Sequence, residues 1–227
     1  MNVLVTGATG MIGTALCQRF EKNSIPHLQL SRNPSGSSKK LVYWNPEEQV
    51  LEHEKLREVD TVIHLAGENV GKRWTHNIRK KILFSRSDSS LFLFEKLAAQ
   101  DSPPKTLIAS SAIGIYGYKN STQFDEESPR GNGFLADVVE AWEESTQPLK
   151  DVGCRVILMR QGLVLSPKGG ALARMLPFFR FGLGGTLGSG QQMMSWIGME
   201  DLIRAILFFL EDDTQSGVYN LVSPKPV

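Results

Sequence analysis

Cysteine is scarce: 227 residues contain two, Cys17 and Cys154. They lie far apart and join no CxxC pair or Cys/His cluster, which excludes a disulfide scaffold and a zinc site of the usual spacing. They read as buried free thiols in a reducing compartment. Excess charge of either sign is also missing, with 25 Lys+Arg against 24 Asp+Glu and a formal charge of +1. That leaves no basic footprint for nucleic acid and none for an anionic membrane. No run of about 18 apolar residues occurs, so no transmembrane helix is expected. The N-terminus does not read as a signal peptide, because it enters a glycine-rich turn after a very short apolar stretch. What is present is an apolar fraction of 41%, enough to bury a core and unlike a disordered chain. The expectation is a soluble, cytoplasmic protein whose partner is a small molecule, with no nucleic acid and no membrane involved.

Apolar runs alternate with helical periods. Asn2 to Thr6 is a short β-branched run before glycine and predicts a buried strand. Met11 to Glu21 predicts a helix with Ile12, Ala15, Leu16 and Phe20 on one face. Pro26 to Ser31, Leu41 to Trp44, Asp60 to Ala66, Thr106 to Ser110 and Arg155 to Met159 predict further strands. Asn33 to Lys40 predicts a loop. Thr75 to Gln100 reads as one long helix stopped by Pro103 and Pro104, and Leu135 to Leu149 as another. This rhythm predicts an α/β fold: a Rossmann-type doubly wound parallel sheet with helices on both faces. The core is placed at residues 1–165. Residues 166–227 are read as a small, incomplete C-terminal substrate lobe with a returning helix, Asp201 to Leu210, and a returning strand, Gly217 to Val222. Between Gly169 and Trp196, glycines interleave with Met175, Leu176, Phe178, Phe179, Phe181, Met193 and Met194. That pattern predicts a segment buried on the scaffold or lining a pocket rather than a bare linker.

The most informative residues are Gly7, Gly10 and Gly13, directly after the first strand and opening the first helix. Gly7 permits a tight turn, Gly10 lets backbone approach a pyrophosphate, and Gly13 allows close packing. The helix N-terminus supplies unpaired N–H groups and the positive end of a dipole. In a strand–turn–helix context this is a dinucleotide-binding signature. Charge then selects the cofactor. NAD enzymes place an acidic residue at the end of the second strand to hold the ribose hydroxyls. Here that strand ends Ser31-Arg32, and no acidic residue occurs from Lys22 through Pro46. Arg32 offers a charge-assisted, bidentate partner for a 2′-phosphate and Ser31 a hydroxyl, which favours NADP(H).

The spacing of the turn, three and three, resembles that of the short-chain dehydrogenase/reductase superfamily. Further matches are His64 to Asn69, Ser110 to Gly117, Arg73-Trp74, Ser85-Arg86, Trp142-Glu143 and Arg160 to Gly162. Gly169 to Leu172, Gly182 to Gly185, Gly188 to Gln191 and Trp196 to Asp201 complete the set. Together they resemble the "epimerase family protein" subgroup of atypical, extended members, also described as nucleoside-diphosphate-sugar epimerases of the NAD-dependent epimerase/dehydratase family. The resemblance implies that Gly7, Thr9, Gly10, Met11, Ile12 and Gly13 hold the pyrophosphate. It implies Ser31 and Arg32 at the 2′-phosphate, and Leu65, Ala66 and Gly67 along the adenosine and ribose. Arg86 is implied to reach back toward the cofactor, with Lys81 a weaker candidate. It also implies a small-molecule substrate of nucleotide-sugar type and a homodimer through the helices predicted over 75–100 and 135–149.

The superfamily's proton-transfer groups do not carry over. Its Tyr and the Lys four residues later fall on Leu135 and Val139, or on Phe134 and Val138 in the neighbouring register. Counting back from Tyr116 puts its Ser/Thr position on Ala112, beside Ser111. The hydroxyls that remain as catalytic candidates are Ser111 and Tyr116. His64 and His76 are alternative proton carriers, though His64 in a buried strand reads as a satisfied core residue. Gly198 stands where the related motif carries His. The chain also stops at Val227, where extended members continue into elements that cover the substrate. Two readings follow. One is an NADP(H)-dependent oxidoreductase or sugar-nucleotide epimerase with a non-standard proton donor. The other is an NADP(H)-binding redox sensor or interaction module with little or no turnover.

Overall fold

The computed structural model describes residues 2–33, 40–118, 123–186 and 188–227. Most of the loop predicted over 33–40 lies outside the described residues. The framework is an eight-stranded sheet. Its strands are β1 (Val3–Thr6), β2 (His27–Ser31), β3 (Leu41–Asn45), β4 (Val50–Leu51), β5 (Thr61–His64), β6 (Thr106–Ala112), β7 (Arg155–Gln161) and β10 (Gly217–Leu221). The order is β10-β7-β6-β5-β1-β2-β3-β4, parallel except for the short antiparallel β4 at one edge. β4 has no sequence forecast. Strands β1, β5, β6 and β7 are almost wholly buried, as apolar runs in a two-face-covered parallel sheet must be.

Two layers of helices cover the sheet. On one face α1 (Met11–Lys22) lies beside α7 (Met199–Glu211). Leu16, Cys17 and Phe20 pack with Leu202, Ile203, Ile206 and Phe209 over Val3, Val5, Ile63, Ile108 and Ile157. On the other, Leu93, Phe94 and Leu97 of α3 (Asp88–Ala98) pack over Leu4, Val62, Leu107 and Leu158. Arg155 closes the return from α7 to β10 by donating to the carbonyls of Phe209, Asp212 and Gln215 at 2.8–3.0 Å. It thereby serves the open carbonyl end of α7.

Both predicted long helices are broken, for the same reason. The 75–100 segment divides into α2 (His76–Phe84) and α3. At the join Ser85 Oγ donates to the Ile82 carbonyl and Ser87 Oγ to the Leu83 carbonyl. The 135–149 segment divides into α4 (Phe134–Glu144) and α5 (Gln147–Asp151). There Ser145 Oγ donates to the Trp142 carbonyl and Thr146 Oγ1 to the Glu143 carbonyl. Local hydroxyls compete with helix propagation, and Pro148 cannot supply an amide to continue it.

Beyond β7 the chain forms a small sheet of β8 (Leu163–Leu165) with β9 (Trp196–Gly198), between which lies α6 (Gly170–Arg180). The expectation that the aromatic, Met-rich stretch buries itself is corrected. No residue of α6 is buried, and Phe178, Phe179, Phe181, Leu183 and Met193 are more than half exposed. At the N-terminal end of α6, Gly169 backs onto the Met11 side chain.

Candidate functional site

The glycine turn lies at the C-terminal end of β1, between β5 and β2. Gly7 has φ +65°, and a Cβ there would lie 2.7 Å from the Leu65 carbonyl group. Gly13 is more constrained: a Cβ would fall 2.2 Å from the Gly7 oxygen, so only glycine lets α1 start this close to the turn. Gly10 donates its amide to the Gly7 oxygen at 2.9 Å, and Thr14 reaches back to Gly10 at 2.8 Å. Met11, Ile12 and Gly13 form the first turn of α1, whose amides have no acceptor within the helix. The N-cap is Gly10, with no capping side chain, and the first turn carries no acidic residue. The site therefore presents uncapped donors to an anion.

A directional hydrogen-bond chain holds the floor. Thr6 Oγ1 accepts the amides of Leu65 and Ala66, each at 3.1 Å, and lies 3.0 Å from His64 Nδ1. His64 Nε2 lies 2.9 Å from Ser90 Oγ on α3. Burial holds the imidazole neutral, down to about pH 3, and the nearby Arg86 charge adds to this. His64 is thus a satisfied core residue, as its strand position predicts. His76 is exposed at the start of α2, and Lys81 is exposed on the same helix.

Ser31 ends β2 and accepts the Asn33 amide at 3.1 Å; Arg32 follows, exposed. The Arg32 charge reaches the Glu68 carboxylate, which is held below the usual carboxylate range chiefly by its 2.6 Å bond from Lys72. Arg32 and the loop after β5 thus flank the glycine turn from opposite sides. Arg86 is in that loop's other wall, in the turn between α2 and α3. Its Nη1 donates to the Glu68 carbonyl at 2.9 Å, and its guanidinium lies 4.8 Å from the Trp142 ring centre.

Ser111 lies at the C-terminal end of β6, beside β5, and Tyr116 in the turn that follows it. Both are buried. Ser111 Oγ donates to Glu143 Oε1 at 2.5 Å. Glu143 takes both arms of Arg160, each at 2.8 Å. Arg160 Nη1 reaches Tyr116 Oη at 3.0 Å, and Tyr116 donates to Asn220 Oδ1 at 2.7 Å. The Glu143 carboxylate raises the Arg160 pKa still further, so the fork stays ionised. The two hydroxyls named as catalytic candidates thus belong to one hydrogen-bond network joining β6, the turn after it, α4, β7 and β10. The Leu135 and Val139 side chains meanwhile pack beside Gly114, in the single turn after β6. Sequence reasoning flagged Trp142, Glu143 and Arg160 as motif residues but assigned them no partners.

Comparison with known proteins places this geometry. The model of the NAD dependent epimerase/dehydratase family matches residues 3–221. The chain belongs to that family. An epimerase family protein of Mycobacterium leprae is 38% identical over 226 residues, covering 99% of this chain and 73% of its own length. One from Staphylococcus aureus is 37% identical, with coverages of 98% and 75%. Among solved structures, human epimerase family protein SDR39U1, determined with NADPH, superimposes with a TM-score of 0.86 at 32% identity, over 99% of this chain and 75% of that one. A nucleoside-diphosphate sugar epimerase from Corynebacterium glutamicum gives 0.87 at 32% identity; this chain spans 47% of its length. The Rossmann-type α/β architecture expected from the sequence is shared with these epimerase-family structures. Among the described residues, no helix is long and apolar enough to cross a membrane.

Proposed function

We propose that the chain binds NADP(H) across the C-terminal edge of the sheet and serves an oxidoreductase or epimerase reaction on a small molecule of nucleotide-sugar type. The uncapped first turn of α1 carries the reading. Three helix N–H groups, a glycine N-cap and a first turn without an acidic residue suit a pyrophosphate. The turn from Gly7 to Gly13, with Thr9, Met11 and Ile12, takes the pyrophosphate. Ser31 and Arg32 take the 2′-phosphate, and Leu65, Ala66 and Gly67 border the adenosine and ribose. The human relative solved with NADPH supports the phosphorylated cofactor. Titration of the full chain with NADPH and NADH, followed by nicotinamide fluorescence, tests this. NADPH should bind at least about 10-fold tighter, as a charge-assisted phosphate contact requires. Equal affinities, or none, would refute it.

A second reading, an NADP(H)-binding module with little turnover, is favoured by one observation. Leu135 and Val139 are apolar, and the Ser111 and Tyr116 hydroxyls are spent inside the Glu143–Arg160 network. On this reading, any turnover by this chain draws its proton from a group outside that network. A substrate screen read by NADPH absorbance separates the two readings.

A further inference from the structure

On the NADP(H) reading the sheet order divides the cofactor between the two sides of β1. The adenosine half lies toward β2 and Arg32, so the other half extends over the C-terminal ends of β5 and β6. Two segments border that half. One is the loop after β5, which runs to Trp74. The other is the N-terminus of α4, whose Leu135 and Val139 pack beside Gly114 in the turn after β6. The two segments meet ring to ring, with Trp74 and Phe134 edge to face and their centroids 5.4 Å apart. Trp74 is held in place, because its Nε1 donates to the Val70 carbonyl at 2.9 Å, yet more than a third of it is exposed. Arg79 of α2 leans over the pair, its Cζ 5.8 Å from the Trp74 centroid and 5.2 Å from that of Phe134. Its guanidinium is exposed and makes no hydrogen bond or ion pair with a described residue.

Such a wall discriminates among acceptors of hydride. An isolated ketone or a 4-keto sugar becomes a localised alkoxide, which needs a proton in the transition state. Leu135 and Val139 offer none, and the Ser111 and Tyr116 protons are donated within the network around Glu143 and Asn220. A quinone needs no such help, because its two-electron-reduced anion spreads the charge over an aromatic ring and both oxygens. Its flat ring stacks on indole and phenyl groups, and a guanidinium beside the stack meets the charge as it forms.

Resting on the NADP(H) reading above, we propose a further activity for this cleft: the two-electron reduction of a quinone packed on Trp74 and Phe134, with Arg79 as the catalytic residue that stabilises the hydroquinone anion. The quinone takes hydride from C4 of the reduced nicotinamide, where a C–H bond breaks and its electron pair leaves with the hydrogen, giving NADP⁺. A bond forms between that hydrogen and one quinone oxygen, and the displaced π electrons move through the ring to the other oxygen as hydroquinonate. Water gives the proton that completes the hydroquinone.

The test uses the full chain, NADPH and 2,3-dimethyl-1,4-naphthoquinone, whose substituted ring does not add thiols. After subtraction of the protein-free rate, NADPH consumption should be at least about 100-fold faster than with cyclohexanone, the lower range of an acid–base contribution. It should stay level from about pH 6 to 9, since no protein group gives the proton. Arg79→Met should lower kcat/KM by about 10-fold or more, and Trp74→Leu by about 3- to 10-fold. Both variants should keep NADPH affinity within about twofold, which also certifies the fold. A calorimetric titration needs no turnover. With NADP⁺ present, the unaltered chain should bind 2-hydroxy-3-methyl-1,4-naphthoquinone, an anion that shares the ring and resists hydride, and both variants should bind it more weakly. Equal rates with quinone and ketone, or kinetics and binding that both variants leave unchanged, would overturn the proposal. A rate that falls on the alkaline side would hand the proton to a protein group and overturn it too. Failure of the unaltered chain to bind NADPH would instead refute the cofactor reading itself.

Discussion

The Thr6 hydroxyl lies 3.0 Å from His64 Nδ1 and already accepts the amides of Leu65 and Ala66. Its own proton is therefore donated to Nδ1, which makes His64 the Nε2–H tautomer, donating to Ser90. A serine on α3 thus helps to shape the backbone that borders the glycine turn.

Stability should follow this imidazole. The folded ring takes up a proton only near pH 3, whereas an unfolded histidine does so near pH 6.5. Between these values the unfolded chain binds more protons, so stability is complete above about pH 6.5 and is lost as pH falls. The contribution to the slope should reach up to about 1.4 kcal/mol per pH unit. Urea midpoints measured from pH 4 to 7 should show a steeper dependence than His64→Gln does. Identical slopes would mean that the ring is not held neutral.

Arg32→Ala should weaken NADPH binding by about 1.5–3 kcal/mol, the range for a hydrogen bond to a charged group. NADH affinity should hardly change. Calorimetry with both cofactors decides the matter, and parallel losses would leave Arg32 as a general structural residue.

Two glycines of the turn should fail differently. Gly13→Ala pushes a methyl group to 2.2 Å from the Gly7 oxygen, backbone against backbone. It should destabilise the fold by at least about 1–3 kcal/mol, as overpacking does. A Cβ at Gly10 meets only the Gly7 oxygen, at 3.2 Å. Gly10→Val should therefore fold with a near-normal melting temperature and fail to bind NADPH. Normal NADPH affinity in that variant would remove the cofactor from the turn.

Tyr116→Phe strands Asn220 Oδ1 and removes one Arg160 partner. It should cost about 0.5–1.5 kcal/mol of stability, the net worth of a hydrogen bond whose acceptor, Asn220, is half-buried. Reduction of ordinary aldehydes, ketones and 4-keto sugars by the unaltered chain should run at least about 100-fold below an enzyme with a positioned acid–base pair. Whatever activity is found should survive Tyr116→Phe and Ser111→Ala together, with both variants less stable. Loss of activity without loss of stability would return these hydroxyls to the chemistry.

Local signals were enough for much of this protein. Asn2 to Gly13 reads as strand, turn and helix because β-branched residues and glycines constrain the backbone wherever they occur. Buried runs such as Thr61 to His64 declare a parallel sheet, since only strands covered on both faces tolerate such continuous apolarity. Arg32 could be singled out as a candidate from the sequence because it follows the second strand directly. The helix breaks at Ser85–Ser87 and Ser145–Thr146 were not legible there, since a serine that bonds outward and one that ends a helix look alike in sequence. Nor was the fate of Ser111 and Tyr116. A hydroxyl is spare or spent according to what lies within about 3 Å of it, and Glu143, Arg160 and Asn220 arrive from distant segments. The amino-acid sequence by itself determined the sheet, its covering helices and the anion-ready turn, because those depend on neighbours along the chain. Tertiary structure alone decided which polar groups remained open at that edge, because burial and hydrogen-bond pairing are set by contacts between segments.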